Sequence, residues 1–162
     1  MKKSTLYMLA GVPGAGKSTA AKRLESQGVV WLTSDGIRAE LYGSEEVQGS
    51  PSEVFGLMKE RTRAALLAGQ DVVYDACNLR GRYRRQFLEE DLAGIPCTRV
   101  CLAVETPLEV CLRRNAARER HVPEHVIRRM AASWEKPAYN EGWDLVLVFT
   151  PDSPKGEVLD RP

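Results

Sequence analysis

A glycine-rich segment near the start of the chain carries residue types suited to binding phosphate. Residues 11–19 read GVPGAGKST and match the pattern G-x-x-x-x-G-K-[ST]. The glycines let consecutive backbone N–H groups turn inward around phosphate oxygens, at a helix N-terminus that already favours anions. Lys17 would reach the β- and γ-phosphates of a nucleotide, and the Ser18 hydroxyl would bind Mg²⁺. We therefore expect ATP and Mg²⁺ to bind here, in contact with Gly11, Pro13, Gly14, Ala15, Gly16, Lys17, Ser18 and Thr19.

This loop by itself is compatible with several classes of nucleotide-binding protein. GTPases normally carry an Asn-Lys-x-Asp motif that reads the base, and this motif does not occur in the sequence. Motor and transporter ATPases are larger than 162 residues and have a distinct glutamate-bearing strand. The small size and the many arginines that follow the loop favour a kinase.

Two aspartates follow predicted strands and compete for one role in such a kinase. Asp35 lies in TSDGIR and Asp75 lies in VVYDACN. Ligands of an open parallel sheet bind beyond the carboxyl ends of its strands, so we expect both carboxylates near the loop. One would deprotonate an acceptor hydroxyl, and the other would hold water around Mg²⁺. The alternatives are a helix cap for Asp35 and a turn residue for Asp75.

Arg38 favours one assignment of the two aspartates. It lies one helical turn after Asp35, so the two side chains could share a face of a helix. Its guanidinium could hold a phosphate on the acceptor while Asp35 takes the hydroxyl proton. We therefore expect Asp35 to be the base and Asp75 to bind Mg²⁺ through water.

Two later segments are rich in arginine. CLRRNAARER places Arg114 and Arg118 four residues apart, so on one helix face they could close over a triphosphate as a lid. RGRYRR, at residues 80–85, could bind an acceptor strand through Arg82 and Arg85, with its tyrosine as a stacking ring. The alternative for both segments is a solvated basic surface.

The elements that must position these residues alternate along the chain. Five short runs, apolar on both faces, read as strands of a parallel sheet, with helical stretches between them. The runs are residues 5–10, 29–33, 71–76, 98–104 and 144–149. This alternation predicts a doubly wound α/β fold with helices on both faces. We expect a single domain over residues 1–162, with its core at about 5–149 and a loosely held tail at 151–162.

Capping signals mark where several helices begin. Ser50-Pro51-Ser52-Glu53 is a capping box with proline at the first helical position. Thr106-Pro107-Leu108-Glu109 repeats the device and predicts a lid helix that runs to about Arg120. Pro123 predicts the start of another helix.

The composition excludes several classes of protein. The formal net charge is only +1, so no global field attracts nucleic acid and any basic surface must be local. The four cysteines lack metal-ligand spacing, which indicates buried thiols in a reducing compartment. No apolar run is long enough to span a membrane. We expect a soluble cytoplasmic protein in which His121 and His125 are surface residues.

Four motifs taken together are similar to one known family. GVPGAGKST, SDGIR, DACN and RRNAARERHVPEHVIRRM resemble the 5′-polynucleotide kinases of phage and bacterial end-healing systems, over about residues 5–149. The resemblance implies a P-loop kinase fold with the loop strand in the middle of the sheet, and it implies self-association. It also implies transfer of the γ-phosphate of ATP to the 5′-hydroxyl end of DNA or RNA. Members of the family often have threonine where this chain has Cys77.

The same resemblance implies roles for individual residues. Asp35 would be the general base, and Lys17 would act on the transferring group together with Ser18 and its Mg²⁺. The lid arginines would bind the donor phosphates, with Arg118 taking part in catalysis. Arg38 would contact the phosphate next to the reacting hydroxyl. The expected acceptor contacts are Arg38, Asp75, Asn78, Arg82 and Arg85.

Two other functions are consistent with the same residues. A kinase of a small metabolite or drug could be built on this frame, and it would have no use for the arginines of residues 80–85. An ATP-binding switch without a phosphoryl acceptor would have no use for Asp35 together with Arg38.

Overall fold

Six strands form one sheet, in the order β2-β3-β1-β4-β5-β6, in the computed structural model, which describes residues 3–119 and 122–162. The five predicted strands are all present and parallel to one another, and β1 lies between β3 and β4. The predicted parallel α/β sheet is therefore confirmed, with the loop strand in its interior. The strands are β1 Ser4–Ala10, β2 Val30–Thr33, β3 Val72–Asp75, β4 Cys97–Val104, β5 Leu145–Phe149 and β6 Glu157–Val158.

Helices cover both faces of the sheet. Alternate side chains of a strand point to opposite faces, so Met8 and Leu9 of β1 pack in different core clusters. The first cluster joins the sheet to α3, and the second joins it to α1 and α5. The helices are α1 Lys17–Glu25, α2 Ser34–Tyr42, α3 Pro51–Leu67, α4 Gly81–Gln86, α5 Leu108–Ala116 and α6 Glu124–Ala132, with a π-helical segment Phe87–Asp91 after α4 and a 3-10 turn Tyr139–Glu141 before β5.

The lid helix α5 is shorter than the sequence predicts. It ends at Ala116 rather than near Arg120, because the buried Asn115 side chain pairs with the backbone of Val122. Asn115 Nδ2 donates to the Val122 carbonyl at 2.6 Å, and the Val122 N–H donates to Asn115 Oδ1 at 2.9 Å. Arg120 and His121 lie outside the described residues, while His125 is exposed as predicted.

The capping box predicted at Thr106 is wrong, whereas the one at Ser50 is confirmed. Pro107 is the N-cap of α5, and none of the described side chains caps it. The Thr106 hydroxyl instead donates to the Ala15 carbonyl at 2.7 Å and so ties the lid helix to the phosphate-binding loop. Ser50 Oγ accepts a hydrogen bond from the Glu53 N–H at 3.4 Å.

The carboxyl-terminal tail is attached to the sheet rather than loosely held. Its strand β6 pairs antiparallel with β5, and the Leu159 N–H donates to the Val146 carbonyl at 2.9 Å. The Tyr139 hydroxyl donates to the Leu159 carbonyl at 2.8 Å, and the Arg161 guanidinium lies 4.2 Å from the centre of the Tyr139 ring. A two-residue strand has too few side chains to show an alternating pattern, which is why the sequence does not predict it.

Three of the four cysteines are buried, as predicted. Cys97, Cys101 and Cys111 are in the core, and burial raises the pKa of the Cys101 thiol to about 12. Cys77 is half-buried, at the end of β3. Among the described residues, no helix has both the length and the apolar character needed to cross a bilayer.

Candidate functional site

The phosphate-binding loop joins β1 to α1, and its shape requires its glycines. Gly14 and Gly16 have φ of 84° and 106°, in the left-handed region that glycine enters most freely. A Cβ on Gly14 would lie 2.7 Å from the Cys111 carbonyl oxygen, and a Cβ on Gly11 would lie 2.8 Å from that of Val104. The loop is therefore packed directly against α5 and the end of β4, along a path that larger residues could not follow.

Lys17 is the first residue of α1, so its ammonium group lies at the loop. Its Nζ donates to the Gly11 carbonyl at 2.8 Å and to Cys77 Sγ at 3.3 Å. The Gly11 N–H donates in turn to the Cys77 carbonyl at 2.9 Å. Cys77 thus joins the loop to the end of β3 through both its backbone and its thiol. Ser18, the next residue of α1, is exposed.

Asp75, the last residue of β3, is buried near Lys17. Its Oδ2 accepts a hydrogen bond from the Trp31 indole Nε1 at 2.9 Å. Burial raises the pKa of the Asp75 carboxyl above its ordinary value, while the Lys17 ammonium and the Trp31 hydrogen bond oppose that rise. The Asp35 charge adds to the rise in pKa. Asp35 lies two residues after Thr33, which is opposite Asp75 in the register of β2 and β3. The sequence predicts both aspartates at this edge of the sheet, but it gives no signal for Trp31.

Asp35 and Arg38 lie one turn apart on α2 and form an ion pair. Asp35 is the more accessible partner, with 45% of its side chain exposed against 15% for Arg38. Arg38 Nε is buried, and no group of the described residues accepts a hydrogen bond from it. A buried donor without a partner costs about 1–3 kcal/mol, so a bound anion that accepted this bond would remove that cost. The pair therefore places the Asp35 carboxylate next to a guanidinium that still has a hydrogen-bond donor to offer, Arg38 Nε.

Asn78 lies in the connection between β3 and α4, and its side chain is used within the fold. Its φ of 47° is positive, a conformation that asparagine adopts more readily than most residues. Its Nδ2 donates to the Leu9 carbonyl at 2.6 Å and to the Ala76 carbonyl at 3.2 Å. These bonds hold the connection against β1, so the predicted acceptor contact of Asn78 is restricted to its amide oxygen.

The two arginines predicted to form a lid have different surroundings. Arg114, in the last turn of α5, donates from Nη1 to the Gly14 and Ala15 carbonyls, at 3.3 Å in each case. Arg118 lies in an exposed turn beyond α5, where its backbone N–H donates to the Asn115 carbonyl at 3.2 Å. The structure brings Arg114 to the phosphate-binding loop, but the two arginines do not share a helix face because the helix ends between them.

Arg84, in the arginine-rich segment 80–85, belongs to the core. It is 1% exposed, and its Nε lies 2.8 Å from Glu141 Oε1 in a buried ion pair. Its Nη1 donates to the Asn78 carbonyl and its Nη2 donates to the Glu135 carbonyl, both at 2.7 Å. Arg84 therefore connects α4 to the segment between α6 and β5, and it is not part of a basic surface.

Arg82 and Arg85, in contrast, are exposed on α4. Arg82 Nη2 donates to the Tyr83 hydroxyl at 3.1 Å, and Arg85 Nη2 donates to Asn140 Oδ1 at 3.1 Å. Within the described residues, neither guanidinium bonds to the phosphate-binding loop or to the ion pair on α2. Their predicted contact with an acceptor strand stays a prediction.

A cavity of about 280 Å³ lies beside the phosphate-binding loop. Its walls come from the loop, from α1, from the lid helix and from the segment that follows β5. Apolar and proline side chains next to a phosphate site suit the ring system of a nucleotide. The sequence analysis missed the segment after β5, which has no motif. The lining residues include Gly16, Thr19, Arg23, Arg114, Thr150 and Pro151.

The groups beside Lys17 fit a magnesium ion. Mg²⁺ takes oxygen ligands, keeps several waters, and is held through one or two protein groups plus substrate phosphates. The Ser18 hydroxyl and the Asp75 carboxylate are groups of this kind. No cluster of three or more His, Cys, Asp or Glu residues that could form an all-protein metal site occurs in the described ranges. Ser18 would hold the ion directly and Asp75 through water, and the ion would offset the charge of the ATP phosphates.

The chain belongs to the AAA_33 family of AAA domains, whose model matches residues 6–137. The match includes the phosphate-binding loop, both aspartates and both arginine-rich segments. Together with the fold and the G-x-x-x-x-G-K-[ST] motif, the match defines the class of the protein as a P-loop domain of the AAA_33 family.

Several solved structures share this fold. A sugar kinase from a Janibacter species is 21% identical with a TM-score of 0.67, and the match covers 91% of this chain and 85% of that one. Kti12 of Chaetomium thermophilum in complex with ADP-AlF3 is 18% identical with a TM-score of 0.71, covering 91% and 89%. A chain of the Pnkp1/Rnl/Hen1 RNA repair complex is 17% identical with a TM-score of 0.70, covering 82% of this chain but 44% of that one. A sugar kinase and part of a component of an RNA repair complex thus have the same fold as this protein.

Proposed function

We propose that this protein is an ATP-dependent kinase that phosphorylates the 5′-hydroxyl end of a nucleic acid strand. The observation that carries the proposal is the Asp35–Arg38 pair, which follows β2 at the same end of the sheet as Asp75 and the phosphate-binding loop.

The pair is complementary to an acceptor that has a hydroxyl next to a phosphate. The Asp35 carboxylate would take the proton of the hydroxyl as it attacks the γ-phosphate. The Arg38 guanidinium would bind the oxygens of the phosphate, for which its planar fork is well matched. The first nucleotide of a strand with a free 5′ end has both groups on one sugar, because its 3′ oxygen carries the next phosphate.

The donor half of the reaction would use the groups around the loop. Lys17 and Mg²⁺ would offset the charge that develops on the transferring phosphoryl group, and Arg114 would add a third positive charge. Membership of the AAA_33 family and the similarity to a sugar kinase support phosphoryl transfer in general. The similarity to a chain of an RNA repair complex supports the nucleic acid acceptor.

A second candidate is a kinase of a small hydroxylated metabolite. The observation that favours it is the burial of Arg84 in an ion pair with Glu141. Because of this burial, the segment 80–85 has fewer exposed cations for a polynucleotide than its sequence indicates. The same Asp35–Arg38 pair would then bind a small acceptor that carries its own anionic group.

The test is a panel of acceptors offered with γ-labelled ATP and Mg²⁺. The panel contains 5′-hydroxyl DNA and RNA oligonucleotides, nucleoside 3′-monophosphates, nucleosides, sugars and aminoglycosides, and kcat/KM is measured for each. We expect oligonucleotides to be the best acceptors and nucleoside 3′-monophosphates to exceed nucleosides. Lys17→Ala protein, purified in parallel, controls for contaminating kinases. Preference for a sugar or an aminoglycoside over every oligonucleotide would replace the first candidate by the second.

A further inference from the structure

Trp31 and Asp75 lie on neighbouring strands and on the same face of the sheet. β2 and β3 are parallel, with Trp31 opposite Val73 and Thr33 opposite Asp75. Alternate residues of a strand point to the same face, so Asp75 points the same way as Val73. Trp31 and Val73 both pack in the second core cluster, together with Ala21 of α1. This register brings the indole ring close to the carboxylate at the end of β3.

The indole fixes one oxygen of the carboxylate. Trp31 Nε1 donates to Asp75 Oδ2 at 2.9 Å, at a position where Asp75 is only 8% exposed. An indole has a single donor and no acceptor, and a packed ring on a short stem has little rotational freedom. The bond therefore orients Asp75 more rigidly than the long Arg38 side chain orients Asp35.

The second oxygen of Asp75 is left for the phosphate site. In residues 3–119 and 122–162, the bond from Trp31 is the one hydrogen bond to the Asp75 carboxylate. The Lys17 ammonium is close enough to act on the carboxylate electrostatically. Oδ1 can therefore accept a hydrogen bond from water on a Mg²⁺ ion that Ser18 and the ATP phosphates hold.

We propose that Trp31 is a positioning residue for the magnesium–nucleotide complex, because it holds Oδ2 of Asp75 and leaves Oδ1 for metal-bound water. The inference rests on the proposed function only in that ATP and Mg²⁺ bind at the loop, and it is independent of the acceptor. Neither the phosphate-binding motif nor the Asp-x-x-Arg motif includes position 31.

The test compares nucleotide binding with and without the metal. Isothermal titration calorimetry gives the Kd of the non-hydrolysable analogue AMPPNP in excess Mg²⁺ and in EDTA, and the ratio of the two values is the gain in affinity due to the metal. Trp31→Phe keeps an aromatic ring but removes the donor. We expect it to reduce the gain by about 10-fold, the scale for residues that orient a metal ligand. The Kd in EDTA should be unchanged.

Trp143→Phe is the matched control. It removes an indole N–H that donates to Glu141 Oε1 at 3.0 Å in the core, away from the loop. Both variants lose an indole–carboxylate bond, but only the change at Trp31 should reduce the gain. In an Asp75→Asn background, Trp31→Phe should have little further effect, because the two residues act through one contact.

A second measurement uses the unaltered sequence in case the variant at position 31 folds poorly. The indole N–H signal of Trp31 in ¹H–¹⁵N spectra, assigned by eliminating Trp134 and Trp143 with phenylalanine variants, should shift when Mg²⁺ is added to the AMPPNP complex. The proposal is overturned if the Trp31 indole signal does not move on addition of Mg²⁺. It is also overturned if Mg²⁺ does not increase the affinity of the wild-type protein for AMPPNP, or if Trp31→Phe keeps the full increase. An equal loss of AMPPNP affinity in Mg²⁺ and in EDTA would overturn it too, since Trp31 would then support the phosphate-binding loop rather than the metal. Failure of every oligonucleotide as an acceptor would affect the proposed function and leave this result unchanged.

Discussion

The candidate site has two halves, one for the phosphate donor and one for the acceptor, and they consist of different chemical groups. The donor half, around the phosphate-binding loop, consists mainly of backbone: Gly11 donates to the Cys77 carbonyl, and Thr106 holds the Ala15 carbonyl. The acceptor half consists of side chains, the Asp35 carboxylate and the Arg38 guanidinium, one turn apart on α2. A backbone site depends on glycines at fixed spacing, whereas a side-chain site depends on which residues the fold brings together.

This difference has a consequence for function. The donor half should respond to mutation in the same way whatever the acceptor is, because its proposed contacts are with ATP and Mg²⁺ alone. The acceptor half should respond in a way that depends on the chemical groups of the acceptor. Variants that separate these two patterns test whether the division is correct.

The largest effect is expected from the donor half, at Lys17. Lys17→Ala should lower kcat/KM by at least about 10³-fold for every acceptor, because the loop loses the charge that offsets the transferring group. The measurement is kcat/KM with two unrelated acceptors. Lys22→Ala, which removes an exposed charge from the last turn of the same helix, should have no effect. A loss that differed strongly between the two acceptors would contradict the division.

The two aspartates should give the next largest effects and should differ in kind. Asp35→Asn should lower kcat by about 10²-fold or more, the scale for a positioned general base, with an unchanged dependence on Mg²⁺. Asp75→Asn should cost less at saturating metal but should require more Mg²⁺ for half-maximal rate. The measurement is kcat as a function of Mg²⁺ concentration for both variants. If Asp75→Asn is the more damaging change and its Mg²⁺ response is normal, the roles of the two carboxylates are reversed.

Arg38 and Arg114 should separate the two halves most directly. Loss of a hydrogen bond to a charged group costs about 1.5–3 kcal/mol, so Arg38→Ala should raise the KM of a nucleoside 3′-monophosphate by about 10- to 100-fold. It should spare the KM of ATP and of the unphosphorylated nucleoside. Arg114→Ala should raise the KM of ATP instead, with every acceptor. Equal changes for acceptors with and without the phosphate would exclude the Arg38 contact.

The smallest effect is expected from the exposed arginines of α4. If Arg82 and Arg85 contact phosphates of a bound strand, replacing both by alanine should reduce the slope of log affinity against log salt by roughly 1–1.5, at about 0.7 per single-strand phosphate. The measurement is the acceptor KM over a series of KCl concentrations. Arg128→Ala, at an exposed position on α6, serves as the control for loss of a surface charge. An unchanged slope in the double variant would assign these arginines to the solvated surface.

The arginines of the two arginine-rich segments look alike in the sequence, but they have three different environments in the structure. Arg84 is buried against Glu141, Arg114 bonds to the loop, and Arg82 lies on the surface. Each of these arginines lies among other arginines at helical spacing, so the sequence alone cannot tell which of them is buried, which bonds to the loop and which is exposed. What separates them is whether an acidic partner or a backbone carbonyl lies nearby after folding, and that is a property of the packed chain.

The sequence by itself determined the order of strands and helices, the parallel sheet and the phosphate-binding loop. It also predicted that Asp35 and Arg38 lie on one face of a helix. These features depend on local patterns: apolar runs, glycines at fixed spacing, and residues one helical turn apart.

The tertiary structure alone decided that α5 ends early, through the bonds between Asn115 and Val122, and that the tail completes the sheet at β6. It also decided that Trp31 reaches Asp75, 44 residues away along the chain. The physical reason is the same in each case. These contacts join groups that are distant in sequence, and their geometry follows from strand register and side-chain packing, which no local pattern of residues records.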